Sequence, residues 1–509
     1  MQEWEPTTLT TNWSMASDSE DHDGGSPADP FFLKPQESRW LIALVLAGTA
    51  LRILIVVFRA GELNSDPDAY VAHAATWRQT GGYNVPGTDT PTAFRPPFYP
   101  ALLVALQLTG MKVRVAIGLI NVVAGALMII ATWWLARMIG LRGRWPGVAA
   151  AVVALDPLLL RYTVLPMTEV LAAALVSFAV LQVLKARLFV TLPVGEDGRL
   201  NSPSKSAIVA GVCFGLGGLC RPVILVTCAV LTLVQAAMLC WQALRRDRSL
   251  EQSLEKRRLA ALMGRVVVLP ALVAGLILLP WIIRNAVQFN AFVPATSHGG
   301  YTLLLGNNDE FYDEVVLAEG NPAWSGESLN RWQQQLQAQL SRDETLIGEL
   351  AVDRWMYDRA IGTIQDRPGD FVRACVLRWR RFWALSPAVD AESETSGRLV
   401  FPVTVWYAIL WTGLAGSGLL GVQHCQILKC FRRAGGVRNE GNDSSPQVIR
   451  DVTNLQLLWL AVLSVLILHT FYWTNARMRA PVMGLLCVLA AIGWQYWYSV
   501  FRRLRGGSG

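Results

Sequence analysis

The run LIALVLAGTALRILIVVF at residues 41–58, followed after a short polar bridge by DPDAY at residues 66–70, decides how this chain is read. The first stretch, extended to about 39–59, has the ~20-residue length that crosses a hydrocarbon core ~30 Å thick. The second places two carboxylates, Asp66 and Asp68, directly beyond that membrane edge. A charged pair at such a position, in a chain that is otherwise mostly apolar, needs a reason. Taking a proton from a substrate at the membrane surface is the most economical one.

Outward from this point, apolar runs recur at about 113–138, 146–163, 169–188, 205–220, 222–244, 259–283, 399–421, 453–473 and 480–500. Of the 509 residues, 52% are hydrophobic and 16% charged, against about 25% charge in a soluble domain. The expected fold class is an all-α polytopic membrane protein. It has about ten transmembrane helices and two long non-cytoplasmic loops carrying interfacial helices.

Charge sets the orientation. With the amino terminus inside, the inner loops 137–145, 185–205, 245–258 and 422–452 hold Arg137, Arg142, Arg144, Lys185, Arg187, Arg245, Arg246, Arg248, Arg432 and Arg433. The net charge of +7 is therefore a positive-inside signal and not a nucleic-acid one. Residues 1–38 are polar and acidic and are expected to be a disordered cytoplasmic tail without a cleavable signal peptide. The membrane domain spans 39–500, with outer loops at 60–112 and 284–398, and residues 501–509 form an inner tail. Residues 97–103 are apolar but short, and predict an interfacial helix. The second loop predicts a long helical part around 344–384. Eight Cys, mostly in spans or in a basic loop, give neither a disulfide framework nor a CxxC metal pair.

Four arginines break the charge rule. Arg221, Arg284, Arg477 and Arg479 fall on the outer side, each beside a span end. Outer arginines at membrane depth are costly unless paired. They are read either as interface anchors with internal ion pairs, or as a phosphate clamp that uses their planar forks. The aspartates also have two readings. Asp-Pro-Asp is good turn chemistry, with Asp68 as cap of a helix starting near Ala69. The reading followed here gives Asp66 the catalytic task. Downstream lie Tyr70, Gly81-Gly82 and Phe94-Arg95-Pro96-Pro97-Phe98-Tyr99-Pro100.

In this order the elements resemble the first outer loop of the C-fold glycosyltransferases, the polyprenyl-phosphate-sugar enzymes related to protein O-mannosyltransferases and lipid A aminoarabinose transferases. Thr168-Glu169 is similar to their Ser/Thr-Glu element. Pro280-Trp281-x-x-Arg284-Asn285 with Gly306-Asn307-Asn308 resembles the start of their second outer loop. Arg477-Met478-Arg479-x-Pro481 resembles their Arg-Tyr-Arg-x-Pro element. The chain departs in two places: Met478 replaces the usual aromatic, and Pro67 displaces the acidic residue commonly next to the first Asp.

The resemblance implies inverting transfer of a hexose or pentose from a polyprenyl-phosphate donor to a hydroxyl on a lipid, glycan or protein acceptor. It implies a cell-membrane enzyme with its active site on the non-cytoplasmic side and membrane lipids as surroundings. Asp66 or Asp68 would be the base. Arg221, Arg284, Arg477 and Arg479 would hold the phosphate. Tyr70, Arg95, Glu169, Asn285 and His298 would lie nearby. No metal ligands are assigned, although Asp66-x-Asp68 leaves room for a divalent cation. Glu169 has a bland reading as a helix-dipole charge. Asp156 could pair with Arg161, and His73 and His298 could be surface or acceptor-groove residues. The competing functions are a transporter or flippase for lipid-linked sugars, and an O-antigen-type polymerase. The absence of an internal repeat argues against the former, and the acidic first loop is not needed by the latter.

Overall fold

A computed structural model of the chain describes residues 33–191, 203–244, 257, 259–324, 326–386, 394–423 and 446–506. The amino-terminal tail to residue 32 and the basic stretches 245–256 and 424–445, with Arg245, Arg246, Arg248, Arg432 and Arg433, lie outside the described residues. Among the described residues the regular structure is helical, apart from one antiparallel bridge between Asn84 and Pro91. Eight helices are long and apolar enough to cross a membrane. They are Pro35–Phe58, Val113–Met138, Glu169–Leu188, Val223–Trp241, Leu259–Phe289, Leu399–Gly421, Thr453–Phe471 and Ala476–Arg505. The chain is a multi-pass membrane protein.

Two of the ten expected spans are shorter apolar helices. The stretch 146–163 is broken into Trp145–Ala154 and Pro157–Tyr162. Pro157 has no amide hydrogen and fixes its own φ. The Asp156 carboxylate then accepts the Leu159 amide at 3.0 Å and opens the second piece. At 1.5 Å per residue the first piece is only ~15 Å long. The expected span 205–220 is the helix Pro203–Gly218, ~24 Å by the same measure. The break has two further consequences. It frees the Ala154 carbonyl, which accepts the fully buried Arg52 guanidinium at 3.1 Å. It also turns Asp156 toward the Tyr407 hydroxyl at 3.2 Å and not toward Arg161, which pairs with Glu62 instead.

Burial sorts the spans. In the most apolar stretches of Ala476–Arg505 and Glu169–Leu188, 83% and 72% of the residues are buried, against 11% in Pro35–Phe58, which lies at the periphery. The two interior helices begin at the same end of the bundle, with Arg477 and Glu169 in their first turns. Close packing relies on small residues. A methyl group on Gly211 would stand 2.6 Å from the Pro270 carbonyl, and one on Gly215 2.6 Å from Ile277 Cβ. The helix Pro203–Gly218 is thereby fitted against Leu269–Phe289.

The two long loops cover that same end. The first holds the helices Tyr70–Thr80 and Phe98–Leu108, the latter burying Tyr99, Pro100 and Leu103. The second holds Gly299–Gly306, Gly326–Arg342, Glu349–Asp366 and Pro368–Phe382. The helical part expected at 344–384 is thus cut at Pro368, where the imino acid starts a new helix. A clasp joins the loops. Arg284 donates to the carbonyls of Thr92 at 2.8 Å and Tyr83 at 2.6 Å. From the other side the Glu349 carboxylate accepts the Ala93 amide at 2.8 Å and the hydroxyls of Thr92 and Ser297.

Candidate active site

The chain leaves its first span, makes a short turn at Ala60–Asn64 and reaches Asp66. Both Asp66 oxygens face backbone: Oδ1 accepts the Val71 amide at 3.1 Å and Oδ2 the Ala72 amide at 2.9 Å. These satisfy amides that the first turn of a helix otherwise leaves open. Ala69, at φ 59°, sits in the left-handed region, which costs a non-glycine residue ~1–2 kcal/mol. This strained corner lets Asp66 reach forward to the helix while Asp68 turns away from it. Capping therefore falls to Asp66, and the expectation of a cap at Asp68 is corrected.

Asp68 faces arginines. Its Oδ1 accepts from Arg95 at 3.1 Å, and its Oδ2 pairs with Arg477. Arg477 also pairs through Nε with Glu169 Oε1, and Arg221 meets the same oxygen at 2.7 Å. The result is a continuous charge chain, Arg95–Asp68–Arg477–Glu169–Arg221. The Arg95 and Arg477 side chains are 20% and 21% exposed, while Glu169 is fully buried.

Local structure aims each member. Arg477 leaves the tight turn Ala476–Val482, and its own amide donates to Asn475 Oδ1 at 3.0 Å. Arg221 occupies the junction before the helix Val223–Leu244 and donates to Met478 Sδ at 3.6 Å. The residue that departs from the family pattern is thus a direct neighbour of the arginines. Arg95 lies 5.4 Å over the Phe94 ring and 6.0 Å from that of the buried Tyr70, and its Nη1 meets His298 Nε2 at 3.3 Å.

The two carboxylates titrate apart. Burial raises the Asp66 carboxyl above its ordinary range and outweighs the amides that bond to it. Burial also pushes Asp68 upward, but Arg477 and then Arg95 overcome it and hold the carboxyl below the ordinary range. Burial, reinforced by Arg95, pushes His298 down to about 3. Its ring is neutral, with Nε2 accepting from Arg95 and the proton on Nδ1.

Several expected members stand apart. Arg284 belongs to the loop clasp. Asn285 is buried, donating to the Val293 carbonyl at 2.9 Å and accepting from Arg284 at 3.0 Å. Arg479, 1% exposed, donates to the carbonyls of Phe382 at 2.9 Å and Ala384 at 2.8 Å. It also lies 4.1 Å from the Tyr407 ring. Neither arginine reaches the charge chain, because backbone carbonyls have claimed both. His73 is a core residue and not a surface one, with Nδ1 3.1 Å from the Asn84 carbonyl and its ring stacked on Tyr83.

Two contributors escaped the sequence reading. Glu349 looked like any acidic residue opening a helix. Tyr162, whose ring lies 5.8 Å from the Arg477 guanidinium, fell inside an expected span. Among the described residues no group of three or more His, Cys, Asp or Glu side chains converges as a metal site.

No protein-family model and no curated protein matches this sequence. Solved structures do. The apo oligosaccharyltransferase of Archaeoglobus fulgidus superposes with a TM-score of 0.50 at 13% identity, over 93% of this chain and 52% of that one. The oligosaccharyltransferase AglB from the same organism, in complex with an inhibitory peptide and a dolichol-phosphate, gives 0.49 at 13% identity, over 94% and 53%. ArnT from Cupriavidus metallidurans bound to undecaprenyl phosphate gives 0.37 at 12% identity, over 90% and 78%. The chain spans about half the length of the archaeal structures. With the apo archaeal oligosaccharyltransferase it shares the fold, which agrees with the fold that the sequence resemblance implies.

Proposed function

We propose that the chain is an inverting glycosyltransferase, moving a sugar from a polyprenyl-phosphate donor to an acceptor hydroxyl on the non-cytoplasmic face of the cell membrane. The observation that carries the reading is the charge chain. Three guanidinium groups meet two carboxylates, so one positive charge is left over where side chains are a fifth exposed. A surplus of that kind suits a phosphate, which accepts forked donors from arginine. The fold shared with an oligosaccharyltransferase supports the transferase class. The basic short loops support the orientation. Residues 39–500, with both long loops, form the catalytic unit.

In this reaction the acceptor oxygen attacks the anomeric carbon opposite the phosphate. The bond from that carbon to the phosphate oxygen breaks, and the acceptor proton passes to Asp68. Phosphate is already a good leaving group, so its departure needs charge stabilisation and not a proton, and Arg477 and Arg221 supply it. One carboxylate is then enough, unlike the pair in a hydrolase. Asp68 takes the role over Asp66 because Asp68 stands among the arginines of the charge chain, whereas Asp66 faces the backbone amides of Val71 and Ala72.

The test uses purified protein in nanodiscs, radiolabelled polyprenyl-phosphate hexoses and pentoses, and a membrane lipid and glycan extract as acceptor. Label moved covalently to an acceptor, and lost in Asp68→Asn, is the expected result. Label that crosses a proteoliposome membrane with no new bond would make the protein a transporter. A growing glycan chain would make it a polymerase.

A further inference from the structure

Both oxygens of Asp68 are occupied, Oδ1 by Arg95 at 3.1 Å and Oδ2 by Arg477. Each oxygen keeps a lone pair, but two guanidinium groups at the carboxylate hold its basicity down, so drawing one of them away is what makes Asp68 an effective base. The two are not equally free. Arg95 is fixed by His298 Nε2 at 3.3 Å and by the rings of Phe94 and Tyr70. Arg477 is shared between two carboxylates. On leaving Asp68 it keeps its Nε bond to Glu169, whose Oε2 is buried and makes no other hydrogen bond. Arg221 shares that carboxylate at 2.7 Å. Two guanidinium groups thus converge on Glu169, one of them with an arm that Asp68 alone holds back.

We infer that Arg477 is an exchange residue: without donor it masks Asp68, and the donor's phosphate draws it away, so that Asp68 can accept a proton only when donor is seated. This rests on the reaction proposed above. Glu169 is then a positioning residue that keeps Arg477 and Arg221 together through the exchange. The electron pair of the broken carbon–oxygen bond stays on the phosphate, where those two arginines offset it. The acceptor proton ends on the unmasked Asp68 oxygen. Donor has to bind before the acceptor can be activated.

The experiment measures the affinity of purified protein for polyprenyl phosphate, beside transfer activity. In the wild type this lipid competes with Asp68 for Arg477. Asp68→Asn removes the competing charge, so the lipid should bind about tenfold tighter while transfer is lost. Asp68→Glu keeps the charge and should bind it near the wild-type level. Lost transfer with unchanged or weaker lipid binding in Asp68→Asn would overturn the exchange and leave the base assignment standing. Full transfer in Asp68→Asn would overturn the base assignment, and the exchange with it. A wild-type measurement covers the case in which the variants do not fold. Binding of the methyl ester of polyprenyl phosphate, a phosphodiester with no proton of its own to release, is followed calorimetrically near pH ~5 in buffers of different ionisation heat. Proton uptake on binding is expected as Asp68 loses one of its two counter-charges, and binding without uptake would overturn the exchange.

Discussion

Arg477 and Arg479 leave the same tight turn, two residues apart, and meet opposite surroundings. Arg479 is 1% exposed, bonded to the carbonyls of Phe382 and Ala384, and lies over the Tyr407 ring. Arg477 is a fifth exposed and bonded to two carboxylates. A guanidinium given to neutral carbonyls in a closed site has finished its work as a structural pin. One given to carboxylates in a site open to solvent can trade one anion for another. The same contrast separates Arg284, spent on the clasp, from Arg221. Sequence reading treats the four alike, because each is an arginine at the wrong end of a span.

The carboxylates repeat the contrast and give the largest expected effect. Asp68→Asn keeps the side chain's shape and removes its charge. Transfer should fall by ~10²–10⁴, the usual worth of a general base, with the fold intact. Asp66→Asn keeps one acceptor oxygen of the two that bond to the Val71 and Ala72 amides, should cost about 1 kcal/mol of stability for the lost bond, and should leave most of the turnover. Transfer rates and melting temperatures of both variants decide the matter. A larger loss of turnover in Asp66→Asn would reverse the two roles.

The arginines come next. Arg477→Ala should keep Glu169 paired through Arg221 at some loss of stability and lose ~10²–10³ in turnover, the cost of removing one donor to developing charge. Arg477→Lys should recover part of it, lacking the planar fork. Arg479→Ala should fail differently. It leaves two buried carbonyls without a donor, at ~1–3 kcal/mol each, so yield and melting temperature should drop before any specific loss of donor binding. Normal stability in Arg479→Ala would end its description as a pin.

Much of this was legible in the sequence for reasons that are local. Eight spans announce themselves by length, and the end that gathers the ion pairs by charges where none are cheap. The break at Asp156-Pro157 is not among them: apolar length makes 146–163 read as one span, although proline and a capping carboxylate in one dipeptide can start a helix. What was not legible depends on contacts across the whole chain. Asp68 and Arg477 lie over 400 residues apart. The partners of Arg284 and Arg479 are backbone carbonyls, which every residue carries and no residue type marks. The cap went to the wrong aspartate because the spacing argument assumes ordinary φ. A left-handed Ala69 shifts the register by moving Asp68 off the helix axis.

The loop clasp predicts a smaller effect. Glu349→Gln keeps one acceptor oxygen and loses the charge that binds the Thr92 and Ser297 hydroxyls and the Ala93 amide. About 1–2 kcal/mol of local stability should go. Because Arg95 follows Ala93 closely, the loosened segment should also raise KM for the donor while kcat holds. Hydrogen exchange at residues 83–95 measures the first effect and steady-state kinetics the second. Unchanged exchange there would show that Arg284 closes the clasp alone.

The smallest effect concerns the anchored side of Asp68. Burial pushes His298 down to about 3 and His73 to about 4, with Arg95 adding to both, so both rings are neutral in the folded chain. In the unfolded chain a histidine takes a proton near pH ~6.5. Between that pH and the folded values the unfolded state binds more protons, so stability falls as the pH is lowered through this window and levels off below it. His298→Gln keeps an acceptor for Arg95 but cannot titrate. Its melting temperature should therefore fall less steeply than that of the wild type between about pH 7 and pH 4.5. His73 remains in both proteins and accounts for part of the residual slope. An identical slope would mean that His298 is not buried against Arg95. Arg95 would then be as free to leave Asp68 as Arg477 is, and the asymmetry that singles out Arg477 for exchange would be gone.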